Sequence, residues 1–184
     1  MKRIAVCLCM AMLSVAVVAR AQTPAPKPGA ECQKMAVFLG HWTYEGAYKP
    51  GPFGPGAKVT GEETLEMVLG GFFIQGRWVE KRASGELRGI EIFGYNPATN
   101  NYPQSQYTDD GGMASGAMTV SGSTWNLLGE GVSAGKPYRS RYTMTFAADA
   151  MSMGMKTELS TDGNSWTPFG EFTFTKVPEP GPKK

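Results

Sequence analysis

Period-two alternation runs through most of this chain and leaves few folds open to it. Tyr138, Ser140, Tyr142, Met144 and Phe146 alternate with Arg139, Arg141, Thr143 and Thr145. Trp42, Tyr44, Gly46 and Tyr48 alternate with Thr43, Glu45, Ala47 and Lys49. Leu65, Met67 and Leu69 oppose Thr64, Glu66 and Val68; Met151, Met153, Met155, Thr157 and Leu159 oppose Ser152, Gly154, Lys156 and Glu158. Trp166, Gly170, Phe172 and Phe174 oppose Thr167, Glu171, Thr173 and Thr175. Such runs describe strands with one buried and one wet face, the mark of antiparallel sheets.

Turn residues punctuate the runs at Gly70-Gly71, Ser84-Gly85, Asn96-Pro97, Gly111-Gly112, Ser121-Gly122 and Asp162-Gly163-Asn164. The spacing predicts an all-β chain of about ten antiparallel strands in an up-and-down meander. Closing that meander into a barrel removes its exposed edges and leaves an interior wide enough for a small ligand. One short helix is expected before the strands, over Ala30–Leu39, with Met35, Phe38 and Leu39 on one face and Gly40 ending it.

The ends of the chain read differently. Lys2 and Arg3 precede an uncharged apolar run, Ile4 to Val18, and Ala19-Arg20-Ala21 supplies small residues before Gln22. This is the pattern of a secretory signal peptide over residues 1–21, and it predicts a periplasmic or secreted protein with no integral membrane association after cleavage. Residues 22–29 form a Pro-rich leader, residues 30–177 the barrel domain, and residues 178–184 a Pro-rich flexible tail. Cleavage would take Lys2, Arg3 and Arg20 with it, so the basic count falls from 18 to 15 against 16 acidic residues, a net charge of −1. A near-neutral surface without a basic run offers nucleic acid no electrostatic hold. Cys32 is then the one remaining cysteine and has no disulfide partner; at the start of a short helix it reads as a single thiol near a frayed terminus.

Four peptides arranged in order carry a family resemblance. Leu39–Gly46 (LGHWTYEG) follows the short helix and opens the first strand with a G-x-W pattern; Glu62–Trp78 (EETLEMVLGGFFIQGRW) and Gly89–Tyr102 (GIEIFGYNPATNNY) follow. With Gln106–Met118 (QYTDDGGMASGAM) they resemble the bacterial secreted family DUF1579, a domain of unknown function, within the calycin and lipocalin-like superfamily. Family turns appear here as Gly94-Tyr95-Asn96-Pro97 and Tyr107-Thr108-Asp109. The resemblance implies a calycin-like barrel capped by the N-terminal helix and implies little about chemistry. Haem barrels of the nitrobindin type use a late histidine as the iron ligand, and fatty-acid-binding barrels clamp a carboxylate with a late arginine. The late strands here carry no histidine, and Arg139 and Arg141 fall on the polar face. No cofactor is expected.

No catalytic constellation stands out. Gly131-Val132-Ser133-Ala134-Gly135 matches G-x-S-x-G, but a strand follows it rather than a helix, and no histidine lies downstream. Glu62 and Glu63 point to opposite faces of one strand and cannot form a dyad with each other. One histidine and one mature cysteine are too few for a structural zinc site. The reading that fits best is a barrel binding a small apolar or amphipathic ligand, walled by Trp78, Tyr107, Tyr142, Met144, Met153, Met155, Trp166 and Phe172. Two alternatives stay open. One is an enzyme in the same cavity with Asp109, Tyr107 and His41 as acid–base groups. The other is a filled-barrel envelope protein with no ligand.

Overall fold

The alternation is realised strand by strand in the computed structural model, which describes residues 26–133 and 135–178. The signal peptide expected over residues 1–21, residues 22–25 and most of the expected tail lie outside the described residues. Ten strands follow one short helix: β1 Gly40–Tyr48, β2 Ala57–Val68, β3 Phe73–Arg82, β4 Gly85–Gly94, β5 Tyr102–Thr108, β6 Met113–Ser121, β7 Thr124–Ser133, β8 Lys136–Phe146, β9 Ser152–Ser160 and β10 Thr167–Val177. Each pairs antiparallel with its sequence neighbour, and β1 pairs with β10 to close the barrel. The closing register sets Tyr44 opposite Phe174 and Gly46 opposite Phe172, so the apolar faces of the first and last strands meet inside.

The helix is shorter than the ten residues expected: α1 spans Ala30–Lys34 and continues as a 3-10 turn over Met35–Phe38. Its apolar side enters one end of the barrel, and Cys32, Met35 and Phe38 are buried there. Cys32 is thus a core residue and not a thiol at a frayed terminus. The Phe38 ring meets Phe93, Trp125 and Phe146 edge-on at 5.3, 5.0 and 5.0 Å. Aromatic edges on faces add to the burial itself. Two hydrogen bonds fix the angle of the plug: Trp42 Nε1 donates to the Phe38 carbonyl at 2.8 Å, and Tyr102 Oη donates to Glu31 Oε2 at 2.8 Å. The first satisfies a carbonyl that a helix end would leave bare.

Alternation misleads where a strand stops or slips. Leu69 is exposed because β2 ends at Val68 and the chain turns there, and Met151 is exposed in the turn before β9. In β10 the register slips between Pro168 and Gly170, leaving Phe169 as an extra residue. A bulge of this kind reverses the facing of everything before it. Trp166 therefore falls outside the barrel wall, while Phe169 turns inward against Tyr48 at 5.0 Å.

Candidate functional site

The barrel is packed at the helix end and open toward the other. Above Phe38 and Phe93 lies an inner cavity of about 170 Å³, lined by Glu63, Trp78, Glu91, Gln104, Tyr142, Met144, Met153 and Phe172 among others. A wider chamber of about 510 Å³ adjoins it at the mouth, where Phe53, Arg82, Leu87, Thr108, Tyr138 and Phe169 form the rim. Tyr48, Trp78, Gln106, Ala114, Tyr142, Met155 and Phe172 line both spaces.

Six of the eight residues expected to wall the cavity are there: Trp78, Tyr142, Met144, Met153, Met155 and Phe172. Two are not. Tyr107 is 49% exposed on the outer face of β5, because Tyr102, Gln104 and Gln106 take the inward parity. It joins an outer apolar row running from Ile90 through Tyr107 and Met113 to Val132 in adjacent strands. Trp166 lies outside as well, with the Arg141 guanidinium 3.7 Å above its ring. The proposed acid–base set is also dispersed. Asp109 is an exposed turn residue that accepts a hydrogen bond from the Arg88 backbone N–H at 3.1 Å. His41 lies at the opposite end of the barrel, on an exposed contact with Thr64 Oγ1 at 3.0 Å. Asp109, Tyr107 and His41 therefore share no site. Gly131, Val132 and Ser133 end β7, and the strand β8 rather than a helix follows from Lys136.

The polar chemistry of the interior belongs to residues that the alternation argument passed over. Glu63 from β2 and Glu91 from β4 point inward and converge over Gly76 of β3, which lies between them. A methyl group on Gly76 would stand 2.7 Å from Glu91 Cγ, 3.0 Å from Glu63 Oε1 and 3.2 Å from Glu91 Oε1. Glycine here makes room for the two carboxyl groups. Gln104 Nε2 donates to Glu91 Oε2 at 2.6 Å. Burial raises the proton affinity of both groups. It lifts Glu63 well above the ordinary carboxylate range, with Glu91 adding to the effect, and it brings Glu91 up to about 7 against the opposing pull of Gln104. The surface these side chains retain faces the cavity.

Nearer the mouth, Glu80 is 3% exposed and accepts three hydrogen bonds: from Arg82 Nε at 2.6 Å, Tyr48 Oη at 3.0 Å and Tyr44 Oη at 3.4 Å. Burial, then the Glu80 charge, pushes both tyrosines up, so each stays a neutral donor. This network is internally satisfied. Trp78 is not: its indole N–H is buried with no partner among the described residues. The site is a half-open barrel interior with apolar walls, one closed ion-pair network at the rim and an uncompensated carboxyl pair deeper in.

This architecture is a calycin-like barrel. The chain belongs to the DUF1579 family, described as a protein of unknown function, whose family model matches residues 27–176. No curated protein matches its sequence significantly. Among solved structures it is similar to Rv2717c from M. tuberculosis, with 13% identity and a TM-score of 0.58 over 82% of this chain and 99% of the other. It is also similar to the S-type phycobiliprotein lyase CPES from Guillardia theta, with 10% identity and a TM-score of 0.57 over 83% of this chain and 100% of the other. At these identities the likeness is one of fold.

Proposed function

We propose that this protein binds a small amphipathic ligand inside its barrel, admitted at the mouth opposite the helix. The observation that carries the reading is the asymmetry of filling: aromatic rings close the helix end, while the inner cavity and the mouth chamber adjoin along a wall of shared residues. Apolar walls with a few converging polar groups are the usual make-up of a small-molecule site. Methionines on that wall let it fit ligands of more than one shape. A barrel filled along its whole length would be the better reading only without these spaces.

Ala114 tests this directly, because it lines both spaces between Gln106 and Gly131 in register. Ala114→Trp should block the passage and weaken uptake of the neutral fluorescent probe N-phenyl-1-naphthylamine by about tenfold or more. Undiminished uptake by the folded variant, or no uptake by the wild type, would refute interior binding.

A second reading, an acid–base enzyme in the same cavity, is favoured by the Glu91–Gln104 contact beside Glu63. Interior carboxyl groups of raised proton affinity are the kind that acid–base chemistry uses. Turnover of a bound substrate, lost in Glu91→Gln while its binding persists, would establish that reading.

We also propose that the protein works outside the cytoplasm, on the strength of the signal-like residues 1–21. N-terminal sequencing of protein recovered from the periplasm or medium of the expressing cell should begin at Gln22. Full-length protein retained in the membrane fraction with Met1 intact would count against export.

A further inference from the structure

We propose that the interior site takes an organic cation, its ammonium or amidinium head set between Glu63 and Glu91 and its apolar part lying along Met155 and Phe172 toward the mouth. The inference rests on the reading of the barrel as a binder and adds the chemical class of what it binds. Two carboxyl groups from different strands are brought together by an intervening glycine, in a space closed below by aromatic rings. Gln104 occupies one oxygen of Glu91. Glu63 accepts no hydrogen bond among the described residues, although it lines the cavity.

Among the described residues lining the inner cavity, none supplies a counter-charge. Around the pair stand Tyr44 from β1, Trp78 and Glu80 from β3, Gln104 and Gln106 from β5 and Tyr142 from β8. Among the described residues, no cation lines the inner cavity; Arg82 and Lys49 line the mouth chamber, where Arg82 is held by Glu80 and Lys49 by Glu171. Burying a carboxylate without a partner is costly, and burial shifts both groups toward their protonated forms. A ligand cation reverses that balance, because an opposite charge within a few ångströms favours the ionised form. The unpartnered Trp78 N–H is a second polar demand on the same space, which a carbonyl, ether or hydroxyl oxygen on the ligand would meet. A fatty acid head would meet two acidic groups and no cation in the inner cavity, so its charge would be buried without a partner. A hard metal ion would find two carboxylates and one amide, against the six to eight oxygens calcium takes.

The experiment displaces bound N-phenyl-1-naphthylamine with three ligands of equal length near pH 8: n-octylamine, 1-octanol and octanoate. In the wild type, octylamine should act at about tenfold lower concentration than octanol, and octanoate should be weakest. The Glu63→Gln/Glu91→Gln variant should keep the probe and lose the preference for amine over alcohol. Near pH 6, amine uptake should also release protons, measured by calorimetry in buffers of different ionisation enthalpy. Equal action of amine and alcohol on the wild type overturns the proposal, as does a preference that survives in the folded variant. Expulsion of the amine by millimolar magnesium or calcium overturns it in favour of a metal site. Should the double variant fail to fold, Glu63→Gln alone carries the same comparison. If the wild type takes up neither the probe nor any of the three, the binding reading itself has failed.

Discussion

Replacing Trp125 by alanine should destabilise the protein by about 3–5 kcal/mol, read as a fall in the urea unfolding midpoint. Trp125 is 2% exposed and stands where the helix plug meets the barrel wall. Its ring contacts Phe38 at 5.0 Å and Tyr102 at 4.7 Å. Removing it takes a buried indole from a packed layer and leaves a void that the strands, held by hydrogen bonds on both sides, close only in part. The damage should spread, since Tyr102 also ties Glu31 of the helix to the wall. Leu128→Ala, three residues along the same strand but 60% exposed on the outer face, should change stability by no more than about 0.5 kcal/mol. A Trp125→Ala protein within about 1 kcal/mol of the wild type would show that the plug is not the main core.

The second large effect is on pH. Glu63 and Glu91 bind protons more tightly in the folded barrel than in the unfolded chain. Between the ordinary carboxylate value near 4.5 and about 7, the folded state therefore holds more protons than the unfolded state. The stability that the raised pKa contributes is fully present below that window and is lost as pH rises through it. At about 1.4 kcal/mol per unit, a rise to about 7 corresponds to a few kcal/mol for the pair across that window. Asp162 shifts the opposite way, drawn down by the backbone N–H groups of Ser165 and Asn164, so its influence falls at lower pH. Urea unfolding at pH 5 and pH 8 should find the wild type less stable at the higher pH. Glu63→Gln/Glu91→Gln should flatten that dependence and be the more stable protein at pH 8. A wild type equally stable at both values would mean that the pair is hydrated or compensated.

Both effects arise inside the barrel, yet they differ in how they could be read from the chain. The aromatic plug is a consequence of alternation and helical spacing: Phe38, Trp42 and Phe146 sit on faces that the pattern already marks as apolar. The carboxyl pair is not. Glu63 shares the parity of Leu65 and Met67, so its inward direction was present in the pattern but carried no weight beside its exposed neighbour Glu62. In β4 the pattern points the wrong way. Ile90 and Ile92 are 44% and 37% exposed, while Glu91 between them turns inward with Leu87 and Phe93. Hydrophobicity alone would have reversed that strand.

What the chain determined by itself is what depends on near neighbours: about ten strands, their turns, the helix before them and the facing of those strands whose two faces differ clearly in polarity. A period of two is a local property and survives any arrangement of the strands. Closure decided the rest. Pairing β2 to β3 and β3 to β4 in one register brings Glu63 and Glu91 together across Gly76, residues that lie 28 positions apart in the chain. The register slip between Pro168 and Gly170 exchanges Trp166 for Phe169 at the wall, and the inward parity of β5 puts Gln104 and Gln106 in place of Tyr107. Register and bulges are set by how whole strands fit around a closed ring. The polar interior of this barrel is therefore a property of its tertiary structure.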